Sequence, residues 1–291
     1  MKKLYTLLFV ALLTSSFGMA EVSKKEKKAL LSLYTSTNGA HWIKKWNLKQ
    51  PVSEWYGVKV EDDKVVEINL FRNNLMGPLP SDLSKLEHLK VLNLAFNSIT
   101  GQLPEEIAYI PNLKVLKLEM NRIKGGLPSN IGSLANLEEL TAFNNFISGS
   151  IPESIGEIKK LKVLNLSSNA LRGTIPESLG ELTELETLGL FENALEGVIP
   201  GEMGNLKKLK ELVLANNSFK GEIPKEFGQL ANLEIFQIQN NKFESFKNLE
   251  VFENREFLVF DFDGDKRDFE YKDLKFSKTR MADTKFEDIE E

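Results

Sequence analysis

The sequence predicts a right-handed α/β solenoid, with parallel strands on a concave face, short helical or 3₁₀ segments on the convex face, and a cap at each end. Three observations predict it. Asparagines at Asn73, Asn97, Asn121, Asn145, Asn169, Asn193 and Asn217 recur every 24 residues. Each is followed at a fixed offset by a glycine, from Gly77 to Gly221, and a proline, from Pro80 to Pro224. Each is preceded by two apolar residues flanking one of another kind, as in Leu164-Asn165-Leu166, the pattern of a short strand buried on one face. Seven complete copies run without an insertion. An eighth begins at Phe236 and keeps Asn241, but has Ser245 and Lys247 where glycine and an apolar residue are due.

The chemistry of one copy follows from its spacing. An inward-turned amide left unpaired costs about 1–3 kcal/mol, so each asparagine is expected to bond the backbone of adjoining turns. Stacked, Asn73 to Asn241 then form a ladder. Gly173 permits a tight bend and Pro176 opens the return segment. There Leu179, Leu182 and Leu185, spaced by three, suit a helical or 3₁₀ stretch. Acids at its start (Glu105, Glu153, Glu177) and lysines near its end (Lys160, Lys162, Lys208, Lys210) match the partial charges of helix termini. A single copy cannot bury its apolar face alone, so the copies stack and their open ends need covers.

Residues 21–65 supply the first cover. Lys24 to Tyr34 reads as an amphipathic helix with Ala29, Leu30 and Leu33 turned inward, and Trp42, Trp46 and Trp55 offer apolar area to seal the first repeat. Exposed, the same tryptophans would stack sugars; burial in the cap is the reading adopted. Repeats occupy 66–243. Residues 244–291 form the other end, where Asp261-x-Asp263-Gly264-Asp265 invites a calcium-loop reading. Counted from Asp261, however, the sixth and twelfth positions hold Lys266 and Lys272 instead of Gly and Glu. A hairpin turning at Asp263-Gly264 fits better, with Leu258, Phe260, Phe262, Phe269 and Tyr271 on one face and Asp261 opposite Lys266. Asp283 to Glu291 reads as a solvated acidic tail.

Composition excludes several functions. The 291 residues carry a net charge of −5, which disfavours a nucleic-acid face, and all of that excess lies in 247–291, where 14 acidic side chains meet 9 basic ones. There are no cysteines, so disulfides and thiolate chemistry are out, and His41 and His88 are too few for a histidine-rich metal site or triad. No cofactor or metal is expected. Residues 1–20 read as a cleaved signal peptide: Lys2 and Lys3, an apolar run from Leu4 to Leu13, then Gly18-Met19-Ala20. Ten apolar residues cover only about 15 Å of a roughly 30 Å hydrocarbon core. With cleavage after Ala20, the chain is expected to be secreted or periplasmic, without membrane insertion, and monomeric.

The stretch Leu171-Arg172-Gly173-Thr174-Ile175-Pro176 resembles the plant-type class of extracellular leucine-rich repeats, which have 24 residues and carry L-x-G-x-I-P. The likeness covers about residues 28–243. The cap is similar too, in Ala29-Leu30-Leu31-Ser32-Leu33, Trp46 and Ser53-Glu54-Trp55-Tyr56-Gly57-Val58-Lys59-Val60, except that Ser53 and Val60 stand where the plant cap has cysteines. That departure and the short lysine-led signal look like the cysteine-free repeat proteins of bacterial envelopes. The resemblance implies a curved solenoid recognising proteins, peptides or glycans; plant relatives include pectinase inhibitors and receptor ectodomains. It implies no particular ligand.

In such a fold the strands line the concave face, and residues between and after the paired leucines point outward. One such column reads Phe71, Ala95, Glu119, Phe143, Ser167, Phe191, Ala215 and Gln239; the next reads Arg72, Phe96, Met120, Asn144, Ser168, Glu192, Asn216 and Asn240. Phe71, Phe96, Met120, Phe143 and Phe191 therefore stand where water should be, as a binding row, unless some tuck back between strands. Arg72, Lys117, Glu119 and Glu192 would add polar contacts. The rival readings are a passive structural or adhesive envelope component and a glycan hydrolase with two carboxylates. The nearest concave pair, Glu119 and Glu139, is four positions out of register, about 14 Å along the strands, and too far for that chemistry.

Overall fold

A computed structural model describes residues 22–252 and 255–263. The first ordered element is an α-helix, Lys24–Ser36. Ser23 caps it: its hydroxyl accepts the Glu26 N–H (3.2 Å) and donates to the Glu26 carboxylate (2.8 Å). Glu26 is buried because its other oxygen accepts the Val65 N–H (3.2 Å), tying the helix to the first strand of the solenoid. Ala29, Leu30 and Leu33 face inward as the spacing predicts. A hairpin of Val58–Glu61 and Lys64–Asn69 follows, and its second strand opens the repeat sheet.

Ten strands form that sheet, all parallel after the opening hairpin. Register is fixed by the period: Leu164 faces Leu140 on one side and Leu188 on the other. Among the described residues the convex side of the repeats is made of 3₁₀ segments such as Glu177–Glu181, most of them entered through a proline, whereas Ile131–Ser133 is entered through Asn130. The segment Glu177–Glu181 ends after five residues, and 3₁₀ geometry is common in short pieces of this kind. The core between the layers is a continuous stack of leucine and isoleucine, including Leu164, Leu166, Leu179 and Leu185.

A second sheet was not foreseen. After each asparagine a short strand pairs in parallel with its equivalents, giving six strands from Lys124–Gly125 to Lys242–Ser245, and Met76–Pro78 pairs with Ser98–Thr100. Gly173 ends one such strand at φ +78°, a left-handed turn available to glycine at low cost. Gly180, in the 3₁₀ segment, serves differently: a Cβ there would lie 2.4 Å from the Glu202 carbonyl oxygen of the next repeat, so it sets how closely the repeats approach.

The asparagine ladder is present. Asn169 donates from Nδ2 to the carbonyls of Ala142 (3.0 Å), Leu166 (3.0 Å) and Ser167 (3.1 Å), and its Oδ1 accepts the Ile147 N–H (2.9 Å). Asn97, Asn121, Asn145, Asn193, Asn217 and Asn241 donate to a carbonyl of the preceding repeat in the same way. Asn73 has no repeat before it and is met by the cap, accepting the Lys44 N–H (2.6 Å) and donating to its carbonyl (3.2 Å).

The lysines assigned to helix ends do something else. Lys160 donates to Asn136 (2.7 Å), Lys162 pairs with Glu138 (2.8 Å), Lys208 with Glu184 (2.6 Å) and Lys210 with Glu186 (2.6 Å), all bridging adjacent repeats. Glu138 also takes Lys114 (3.1 Å). The hydrogen bonds from Lys162 and then Lys114 hold its carboxyl below the ordinary 4.5, while Glu138 holds Lys162 above 10.5. The carboxyl contribution is therefore full above about pH 4.5 and lost as pH falls through the depressed value; the ammonium contribution is lost as pH rises beyond about 10.5. The stability difference between the wild type and Glu138→Gln, read from urea midpoints, is expected to be largest near neutrality and to shrink on both sides. A difference independent of pH would mean these pairs contribute nothing.

Both ends are sealed by aromatics. The three tryptophans are buried, with centroids 4.9 Å (Trp42–Trp46) and 4.7 Å (Trp46–Trp55) apart. Their indole N–H groups donate to the carbonyls of Thr37, Tyr56 and Gln50. They fill the cap and present no face to a sugar. At the far end Phe236, Phe252, Phe257 and Phe260 pack at 4.9–5.6 Å. Val259–Asp261, the first half of the expected hairpin, adds in parallel to Ile235–Gln237 at the end of the repeat sheet. Phe260 and Phe262 pack on the core, but Leu258 is exposed. The Gly264 turn, Asp265, Lys266, Phe269, Tyr271 and the acidic tail lie outside the described residues, as does the signal segment 1–20.

Candidate concave binding face

Parallel pairing in register brings the outward side chains of successive repeats into straight columns. One runs Glu67, Val91, Val115, Glu139, Val163, Thr187, Glu211, Ile235, Val259, and the neighbouring one runs from Asn69 through Lys117 to Asp261. The two columns singled out in the sequence lie just beyond the strand ends. Their aromatic residues divide into two groups. Phe71, Phe96 and Met120 are 45%, 41% and 39% exposed, and the Phe71 and Phe96 rings sit 5.1 Å apart. Phe143 and Phe191 are only half-exposed and belong more to the wall than to the surface.

The backbone explains why the exposed group is unusual. Every residue of the Arg72 column adopts a left-handed conformation, from φ +48° at Arg72 through +56° at Phe96 and +55° at Met120 to +56° at Asn240. Asparagine tolerates this region, and Asn144, Asn216 and Asn240 occupy it. For other L-residues it costs about 1–2 kcal/mol. Arg72, Phe96, Met120 and Glu192 stand there all the same, and all four are exposed. The Phe and Met side chains therefore do not suit the local backbone, and each leaves a large part of its surface to solvent.

The polar residues separate likewise. Glu119 is 9% exposed, and its carboxylate accepts the Thr141 hydroxyl (2.6 Å), so it is a buried bracket and offers little to a ligand. Lys117 pairs with Glu139 (2.8 Å). Val115 lies opposite Glu139, which keeps Glu119 four positions further along, and each carboxylate has its own partner. Glu192 is exposed and accepts from Ser168 (2.8 Å). Burial raises the Glu211 carboxyl above its ordinary value.

Sequence reasoning missed Tyr56. It is exposed beside buried Trp55, and with Phe71, Asn69, Asn93, Lys59 and Glu67 it lines a shallow depression of about 570 Å³ where the cap meets the sheet. Its alternation with Trp55 was the available signal. Phe146, exposed on the second sheet, escaped because that sheet was not foreseen.

Comparison with known proteins agrees with this architecture. The family described as Leucine Rich Repeat matches residues 88–110, 112–134, 136–158, 160–182 and 208–230. The chain is a leucine-rich-repeat solenoid. It resembles the ectodomain of the Arabidopsis thaliana receptor kinase GASSHO1/SCHENGEN3, solved in complex with CASPARIAN STRIP INTEGRITY FACTOR 2 (30% identity, TM-score 0.75, 82% of this chain and 30% of that one). It also resembles the Arabidopsis HAESA ectodomain in complex with an IDA peptide hormone ligand (32%, TM-score 0.67, 82% and 41%). A leucine-rich-repeat protein of Leptospira interrogans is similar as well (31%, TM-score 0.59, 71% and 53%). The chain thus spans less than half the length of the two plant ectodomains. No curated protein sequence matches it. Among the described residues, no helix is long and apolar enough to cross a membrane.

Proposed function

We propose that this protein is an extracytoplasmic binding protein that takes a protein or peptide segment on the cap-proximal half of its concave face. The observation that carries this reading is the exposure of Phe96 and Met120, flanked by Phe71 and Arg72, at left-handed positions where asparagine would be more stable. Bulky residues kept at a strained, exposed position are accounted for by a ligand and not by the fold. The peptide and protein complexes of the plant ectodomains support the same assignment, and the reading of residues 1–20 as a signal supports an extracytoplasmic location. Polysaccharide recognition is less well supported, since the tryptophans that would stack sugars are buried. Hydrolysis is disfavoured because Glu119 and Glu139 are committed to Thr141 and Lys117.

The triple variant Arg72→Asn, Phe96→Asn, Met120→Asn tests this by moving stability and binding in opposite directions. Relief of backbone strain, less the lost ring contact, is expected to stabilise the fold by about 1–2 kcal/mol. Peptides recovered by the wild-type chain from a displayed random library should bind the variant at least about tenfold more weakly. A variant that is destabilised, yet binds as the wild type does, would make these side chains structural and remove the site.

A further inference from the structure

The concave face is polarised along the solenoid. From Glu139 to Asp263 its four columns hold the carboxylates Glu139, Glu192, Glu211, Asp261 and Asp263, and not one lysine or arginine. Glu139 is answered by Lys117. Among the described residues Glu192 and Asp261 meet neutral donors, the Ser168 hydroxyl and the Gln237 amide (2.9 Å), and the Asp263 carboxylate takes the Asn241 N–H (3.2 Å). Hydrogen bonds of that kind leave the charge in place. Glu211 is half-buried, and burial alone raises its carboxyl, with no cation contributing. The lysines along the flanking edge do not neutralise the face either, because Lys114 and Lys162 hold Glu138 and Lys210 holds Glu186. At the cap end the character changes: Phe71, Phe96 and Met120 are apolar, and Arg72 brings positive charge, with Glu67 in the first column.

We infer that the occupant of this face is an extended basic peptide segment, with one or two apolar side chains on the Phe71–Phe96–Met120 cluster and lysine or arginine side chains over Glu192 and Glu211. This rests on the reading of the concave face as the binding surface. Complementary charge fixes direction and discriminates among partners more than it adds affinity, and Arg72 repels the basic end from the apolar site. The strand before Phe96 lies four strands from the one before Glu192, about 19 Å at 4.8 Å per strand, and five from that of Glu211, which also stands five positions back along its strand, roughly 29 Å in all. An extended chain crosses those spans in about six and nine residues.

The test uses the full chain and a displayed library of random peptides of about 12 residues, long enough to cover that span. Recovered peptides are expected to carry Lys or Arg about six to nine positions from an aliphatic or aromatic residue. The Glu192→Gln, Glu211→Gln double variant should bind them about fivefold more weakly at low salt, with the difference vanishing near 0.5 M NaCl. Neutral or acidic peptides that still depend on Phe96 and Met120 would overturn the basic-segment inference and leave the binding face standing. Peptides that bind equally to the asparagine triple variant, or no enrichment at all, would overturn both. Binding of chitosan oligomers in place of any peptide would assign the face to a polysaccharide and likewise overturn the inference.

Discussion

Asn169→Ala is expected to lower folding stability by about 2–4 kcal/mol, measured as a shift in the urea midpoint. The bonding pattern sets the size. The carbonyls of Ala142, Leu166 and Ser167 each keep a second donor, from Asn145, Asn193 and the Asn144 N–H. Their loss is therefore modest. The Ile147 N–H has Asn169 Oδ1 as its acceptor and is left unsatisfied beneath the neighbouring turn. One orphaned donor costs about 1–3 kcal/mol, and the lost donations add to it. An unchanged midpoint would mean that water replaces the amide freely and that the ladder does not hold the repeats together.

The second large effect is expected at the cap. Trp42 is fully buried, its indole N–H donates to the Thr37 carbonyl (2.9 Å), and its ring lies 5.1 Å from Tyr34 and 4.9 Å from Trp46. Trp42→Ala should cost about 3–5 kcal/mol. All three tryptophans lie in the cap, so fluorescence of Trp46 and Trp55 reports the cap alone while circular dichroism reports the repeats. In a solenoid stabilised by neighbour contacts, loosening one end uncouples it from the rest. The variant's fluorescence transition is therefore expected at lower denaturant than its circular dichroism transition. Coincident transitions with a small shift would contradict the sealing role.

Much of this was legible in the chain because a 24-residue period repeats the same physical problem seven times. Leu164-Asn165-Leu166 announces its strand and Asn169 its ladder. Leu179, Leu182 and Leu185 mark a convex segment, although spacing alone does not decide between α and 3₁₀. The second sheet was hidden because Ala170–Gly173 and Phe146–Gly149 have little chemistry in common; what unites them is hydrogen bonding between repeats, which one copy does not display. The columns of equivalent residues follow from the period, but Ala95, Glu119 and Ala215 of the first column are buried, because burial within a column depends on neighbouring side chains outside the repeat frame. Phe71 and Phe143 occupy equivalent positions, yet Phe71 is the more exposed. Glu119 looked like a ligand contact until Thr141 was found beside it. The left-handed column was partly written in the sequence, as asparagine at 144, 216 and 240, and its bulky apolar exceptions, Phe96 and Met120, lie in the candidate site.

The central claim is that the cap-proximal concave face binds a ligand. Amide hydrogen exchange of the full chain, with and without a peptide selected on it, tests this most directly. Slowed exchange around residues 69–72, 93–96 and 117–120, continuing along the concave strands towards Glu192 and Glu211, with the convex 3₁₀ segments unchanged, is the predicted footprint. Protection on the convex segments or the second sheet, with these segments unaffected, would contradict the account.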